Sequence, residues 1–200
     1  MPDTGTRAVL VLAALLTLSV SACAAGSSNR RAEHNDGWWS RTVGEGARKL
    51  LVRYRAGALE APWTPARDFT ADFSFYNSSL GATIYGDTSC GKRYEDAPLT
   101  VLINHLVLGF TDVATVSQQE RELAARGAME RVATGSLDGV AVSLALTVLR
   151  KGPCVFDLVL ISPPDGFDSS LTDYRAFVDG FEARVLRDSD PRRARARRGP

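Results

Sequence analysis

The sequence predicts an α+β domain: an antiparallel β-sheet flanked by helices, two layers in a single domain over residues 41–186. Three observations carry this. Runs of β-branched and aromatic residues come in pairs joined by short turn sequences, at 68–88 and again at 137–162. Two further segments, 98–110 and 168–187, space their apolar residues at three and four, the mark of a helix with one buried face. The order of these segments is hairpin, helix, three or four antiparallel strands and final helix, which suits helices laid on an antiparallel sheet.

From the start of the chain, seven residues with one Arg precede an apolar run at 8–20. That run is too short to cross a hydrocarbon layer of about 30 Å and matches the core of a signal peptide, here 1–22. Residues 23–40 are small, polar and aperiodic, and are expected to form a flexible linker. A coil of that length has an end-to-end distance of roughly 20 Å. Trp38 and Trp39 either rest in the headgroup zone or pack against the domain edge. "ARKLLVRYRAG" (47–57) suits a short strand or a helical turn, and Pro62 and Pro65 break any regular element after it.

The pattern then sharpens. "DFTADFSFYN" and "GATIYGDT" read as a hairpin joined by Ser78-Ser79-Leu80-Gly81. Pro98 takes a first helical position, Leu99, Leu102, Ile103, Leu106 and Phe110 form one face, and Gly109 suits a helix stop. Over 113–136 two readings stay open: a helix by propensity in the first half, or a long strand kinked at Gly127. Val140, Val142, Leu144, Leu146 and Val148 alternate as a strand, Lys151-Gly152-Pro153 turns, and "CVFDLVLIS" returns beside it. Leu171, Tyr174, Phe177, Val178, Phe181 and Val185 fall on one stripe of a closing helix. Residues 187–200 carry six Arg against two Asp, a net +4 that leaves about −3 for the rest of the chain. Such density of like charge predicts a disordered Arg-rich tail, and neither part has the charge pattern of a nucleic-acid-binding domain.

Val20-Ser21-Ala22-Cys23 resembles the lipobox of bacterial lipoproteins, a likeness confined to the first 23 residues. It implies that Cys23 receives a diacylglyceryl group and becomes the first residue of the mature chain. One acyl chain, at ~0.8 kcal/mol per buried CH₂, binds marginally, whereas several hold a protein on the membrane. Ala24 after the cysteine implies the outer membrane, facing the periplasm. Asn77-Ser78-Ser79, a glycosylation acceptor by pattern, is discounted in a bacterium. Over 69–186 the element order, with "GSLDGVAVSLALTVLRKG" and "YRAFVDGFEARV", resembles the PsbP-like fold shared with DcrB-type envelope lipoproteins. That likeness carries over no catalytic residue.

Once Cys23 is set aside, Cys90 and Cys154 remain, both beside turns. An even remainder in an oxidising envelope suggests a disulfide, the alternatives being two buried thiols or one reactive thiol. His34 falls in the linker, and His105 reads as a hydrogen-bonded core or boundary histidine. No metal-ligand spacing is visible. Ser89-Cys90-Gly91-Lys92 matches S-x-x-K but lacks the S-D-N and K-T-G partners that this chemistry needs. Asp157 is the one acid in an apolar strand; it occupies an edge or solvent-facing position, or, if buried, must be paired, protonated or lining a cavity. The expectation is a membrane-anchored, non-catalytic envelope lipoprotein without cofactor or metal. It would bind membrane lipid through acylated Cys23, and an envelope protein partner or a small hydrophobic ligand. The alternative is an envelope hydrolase built from Ser89, His105 or Asp157.

Overall fold

The structure is a computed structural model that describes residues 32–44, 49–66 and 71–187. Among them, two antiparallel sheets form. The larger has seven strands in the order β4 (Trp63–Pro65), β5 (Phe73–Asn77), β6 (Ala82–Cys90), β10 (Cys154–Ser162), β9 (Val140–Lys151), β8 (Arg126–Leu137) and β7 (Thr111–Leu123). The smaller has the order β1 (Glu33–Asn35), β2 (Trp38–Val43), β3 (Leu50–Arg55) and β11 (Glu182–Arg187). Helix α1 spans Leu99–His105 and helix α2 spans Phe167–Asp179.

Alternation along the central strands assigns each helix to its own face. Leu144, Leu146, Val148, Val155 and Val159 form one core with Leu102 and Ile103 of α1. Ala145, Leu149, Phe156, Leu158 and Leu160 form the other, with Tyr174, Phe177 and Val178 of α2 and Val52, Tyr54 and Ala183 of the small sheet. The expected two layers are therefore three: α1, the seven-stranded sheet, and α2 beside the four-stranded sheet. Strands covered on both faces read as nearly continuous apolar runs, and β9 is buried without a break from Val142 to Leu149.

Polar bonds fix α2 to the sheet. The Tyr174 hydroxyl donates to the Leu158 carbonyl at 2.8 Å and lies 2.9 Å from Thr147 Oγ1. Glu130, buried on β8, accepts from Arg121 Nη1 at 3.0 Å and from Arg175 Nη2 at 3.1 Å, and Arg121 also pairs with Asp179. Burial, more than any neighbour, holds the Tyr174 phenol far above its ordinary pKa, so it stays a neutral donor.

Several expectations change. The described part of the 23–40 linker is strand: Asp36 and Gly37, at φ 51 and 73, turn β1 into β2, and β2 pairs with β3. Within the described part of 47–57 the open reading resolves as strand β3, Leu50–Arg55. Residues 113–136 are a hairpin rather than a kinked strand or helix, turning at Ala124 and Ala125, both at positive φ, with Gly127 inside β8. The closing helix stops at Asp179, and Val185 belongs to β11, paired with Val52 of β3. Gly180 makes that exit possible, since a Cβ there would lie 2.6 Å from the Gly57 Cα. Gly86 serves a similar purpose in β6, where a Cβ would meet the Phe73 ring at 2.2 Å. His105 is exposed at the end of α1 rather than in the core or at its boundary, because the buried face of this short helix ends at Ile103. The signal peptide, Cys23 and 188–200 lie outside the described residues.

Candidate functional site

The register of β6 and β10 places two acids directly opposite one another, Asp87 and Asp157. Asp72 precedes Phe73, which pairs with Gly86, so a third carboxylate joins the row one step further across the sheet. Arg41 of β2 reaches in from the small sheet, with Nη1 2.7 Å from Asp72 Oδ1 and 3.4 Å from Asp87 Oδ1. Two of these carboxylates, Asp72 and Asp87, thus share one guanidinium, and Asp157 stands beside Asp87.

Their environments differ. Asp72 is almost fully buried. Asp87 is held above the usual carboxylate range by burial and by Asp72, with Arg41 and a Thr88 backbone hydrogen bond opposing. Asp157 lies on the face of Val155, Val159 and Tyr85, on the interior strand β10 rather than at the sheet edge. Burial first and the Asp87 charge second push its carboxyl up to about 7. The Tyr85 phenol is pushed up to about 12 by burial, then by Asp157 and Asp87. On the other side, the Tyr54 hydroxyl, Asp72 Oδ2 and Thr88 Oγ1 are buried without a well-directed hydrogen bond. Desolvation, followed by the charge of Asp72, keeps Tyr54 from ionising.

Of this row, Asp157 is the carboxyl that burial holds protonated to a higher pH than an ordinary aspartate. Among the described residues no three His, Cys, Asp or Glu side chains are arranged to hold a metal ion. The other residues singled out in the sequence are not gathered around it. Ser89 sits inside β6 opposite Val155 rather than opening a helix, so its S-x-x-K match has no structural counterpart. His105, exposed at the end of α1, shares no hydrogen bond or ion pair with Ser89 or Asp157. Cys90 and Cys154 are register partners joined by a disulfide. The sequence flagged Asp157 but not Asp72, Asp87 or Arg41, whose grouping depends on strand register and on a second sheet hidden in the expected linker.

Asp157 gives a pH prediction. Its folded pKa of about 7 lies above its ordinary 3.8, so between pH 4 and 7 the native state holds a proton that the unfolded chain has released. Stability should fall as pH rises through that window. Asp157→Asn removes the penalty, and above pH 7 it should be more stable than the wild type by about 2 kcal/mol, discounted for partial exposure. Below pH 4 the two should converge. Urea unfolding at pH 4, 6 and 8 checks this; parallel profiles for the two proteins would refute it.

The smaller sheet carries a second feature. Trp39 points inward, stacked 4.4 Å from the Phe73 ring centroid, while Trp38 points outward. Around Trp38 stand the guanidinium carbons of Arg184, Arg55 and Arg53, 4.7, 5.0 and 5.3 Å from the ring centroid.

No protein-family profile matches this sequence, and no curated protein matches it. Solved structures do. The chain is similar to LpqN of Mycobacterium tuberculosis, a protein involved in cell envelope biogenesis, at 11% identity and a TM-score of 0.50, over 73% of this chain and 91% of that one. It also aligns with the solution structure of cyanobacterial PsbP from Synechocystis, at 8% identity and a TM-score of 0.48, over 76% of this chain and 95% of that one. The likeness to LpqN is one of fold.

Proposed function

We propose that this chain is a bacterial envelope lipoprotein, anchored to the outer membrane through acylated Cys23 and facing the periplasm. There it acts without catalysis, as an accessory that binds an envelope protein partner or a small hydrophobic ligand. The observation that carries the reading is Val20-Ser21-Ala22-Cys23 behind an apolar segment, ten residues before the first strand at Glu33. The shared fold with a protein of envelope biogenesis supports it. So does the use of buried polar groups: Glu130, Tyr174 and Asp72 face partners on other strands or layers, the pattern of a scaffold.

The decisive measurement is the mass of the N-terminal peptide from protein extracted from bacterial envelopes. Expected is a peptide beginning at Cys23 and carrying diacylglyceryl. An unmodified N-terminus beginning elsewhere would refute the anchor.

A further inference from the structure

We propose that Arg131, framed by Asn104 and Gln118 between α1 and β7, binds the anionic head of an amphiphile, a carboxylate or a phosphate. The inference rests on the ligand-binding reading and deepens it, by naming the head group that the ligand would carry.

Alternation along β8 sends Arg131 to the α1 side of the large sheet, between Met129 and Ala133 of that core and opposite Leu146. It is the one buried arginine among the described residues, 8% exposed. Its Nε donates to Gln118 Oε1 and its Nη2 to Asn104 Oδ1, both at 2.7 Å. Gln118 is its register partner on β7, and Asn104 follows Ile103 near the end of α1. Both amides are exposed, so the guanidinium lies just beneath the surface, at the seam where α1 stops and β7 runs on uncovered.

Both partners are neutral. Arg41, Arg121 and Arg175 each meet a carboxylate, whereas none pairs with Arg131 among the described residues. Glu120, on the same side of β7, stands opposite Met129 and forms no ion pair with it. Burial lowers the Arg131 pKa, with no carboxylate to offset it. A buried cation without a counter-charge is costly until one arrives. Two of its five N–H groups are used, which leaves Nη1 and one N–H of Nη2 for the paired oxygens of a carboxylate or phosphate. Each amide turns its oxygen to Arg131 and so keeps its NH2 for an arriving oxygen. The rim is apolar: Val101, one turn before Asn104, and Leu108, just past the end of α1, are exposed. An acid with a hydrocarbon part matches both features.

The test uses the chain from residue 23 onward with Cys23→Ser, so that no acyl chain contributes. NMR follows the Arg131 Nε–H and the side-chain amides of Asn104 and Gln118. Decanoate and decyl phosphate, below their micelle-forming concentrations, are expected to move all three saturably, and the tighter of the two identifies the head. Decanol should bind at least about tenfold more weakly, the loss of one charge-assisted hydrogen bond. Decanoate should raise the urea midpoint of the wild type and leave that of Arg131→Met unchanged. Arg131→Lys, which keeps the charge but not the fork, should bind about tenfold more weakly and serves where the Met variant does not fold. No saturable shift with either anion would overturn the proposal. So would decanol bound as tightly as decanoate, which would leave a hydrophobic-ligand site without a charged head. A Met variant still stabilised by decanoate would place the ligand elsewhere, and the ligand-binding reading would then stand without this site.

Discussion

Glu130→Ala is expected to destabilise the fold by about 3 kcal/mol, the low end of what breaking a buried ion pair costs. Glu130 is 3% exposed, and its carboxylate is the point where β7, β8 and α2 are joined, through Arg121 and Arg175. Removing it leaves two guanidinium groups converging on a desolvated hole. The cost is limited because Arg175 is half-exposed and can turn to water, and Arg121 keeps Asp179. Glu130→Gln preserves the shape and one acceptor, so about half that loss is expected. Guanidinium unfolding of the two variants beside the wild type checks both figures. A loss below about 1 kcal/mol for the Ala variant would mean that apolar packing and the Tyr174 hydrogen bonds seat α2 on the sheet without the ion pairs.

The legible parts of this fold were those in which local pattern and tertiary burial agree. The β5–β6 hairpin, with its turn at Ser78 to Gly81, and the β9–β10 pair around Gly152 follow from alternation and turn residues alone. The misread parts have particular causes. Phe181 and Val185 are four apart, an interval that belongs to a helical stripe and to one face of a strand alike, so β11 passed for the end of α2. The turn at Ala124 and Ala125 lacks any residue that marks positive φ, so the β7–β8 hairpin had no visible corner. Its strand β7 is an exposed edge with polar residues on both faces, which leaves no period to read. The first strands are short and polar, yet Asp36-Gly37 is a strong hairpin signal that the sequence did contain. That omission concealed the small sheet, and with it Arg41, the cation of the acid row, and the outward setting of Trp38. A carboxylate row built across strands leaves no spacing motif, because its members are set by register.

The disulfide is expected to contribute about 4 kcal/mol in the chain-entropy account, since it closes a loop with a sequence separation of 64. Most of that contribution acts on the unfolded chain. In the native state Cys90 and Cys154 stand at one end of an eight-pair ladder between β6 and β10, reinforced by the 2.8 Å bond from the Gly91 N–H to the Pro153 carbonyl. Cutting the crosslink therefore leaves the native strands paired. It frees the unfolded chain, whose closed loop holds α1, β7, β8 and β9. Cys154 is fully buried in the core that α2 covers, so Cys90→Ala with Cys154→Ala adds a small packing loss, whereas reduction of the wild type does not. The double variant should unfold at a clearly lower denaturant concentration than the oxidised wild type, and reduced wild type should lie close to it, slightly more stable. Protein taken from the envelope should resist alkylation until reduced. Labelling of both thiols without reductant, or coincident unfolding curves for the oxidised wild type and the double variant, would show that this crosslink does not hold the domain.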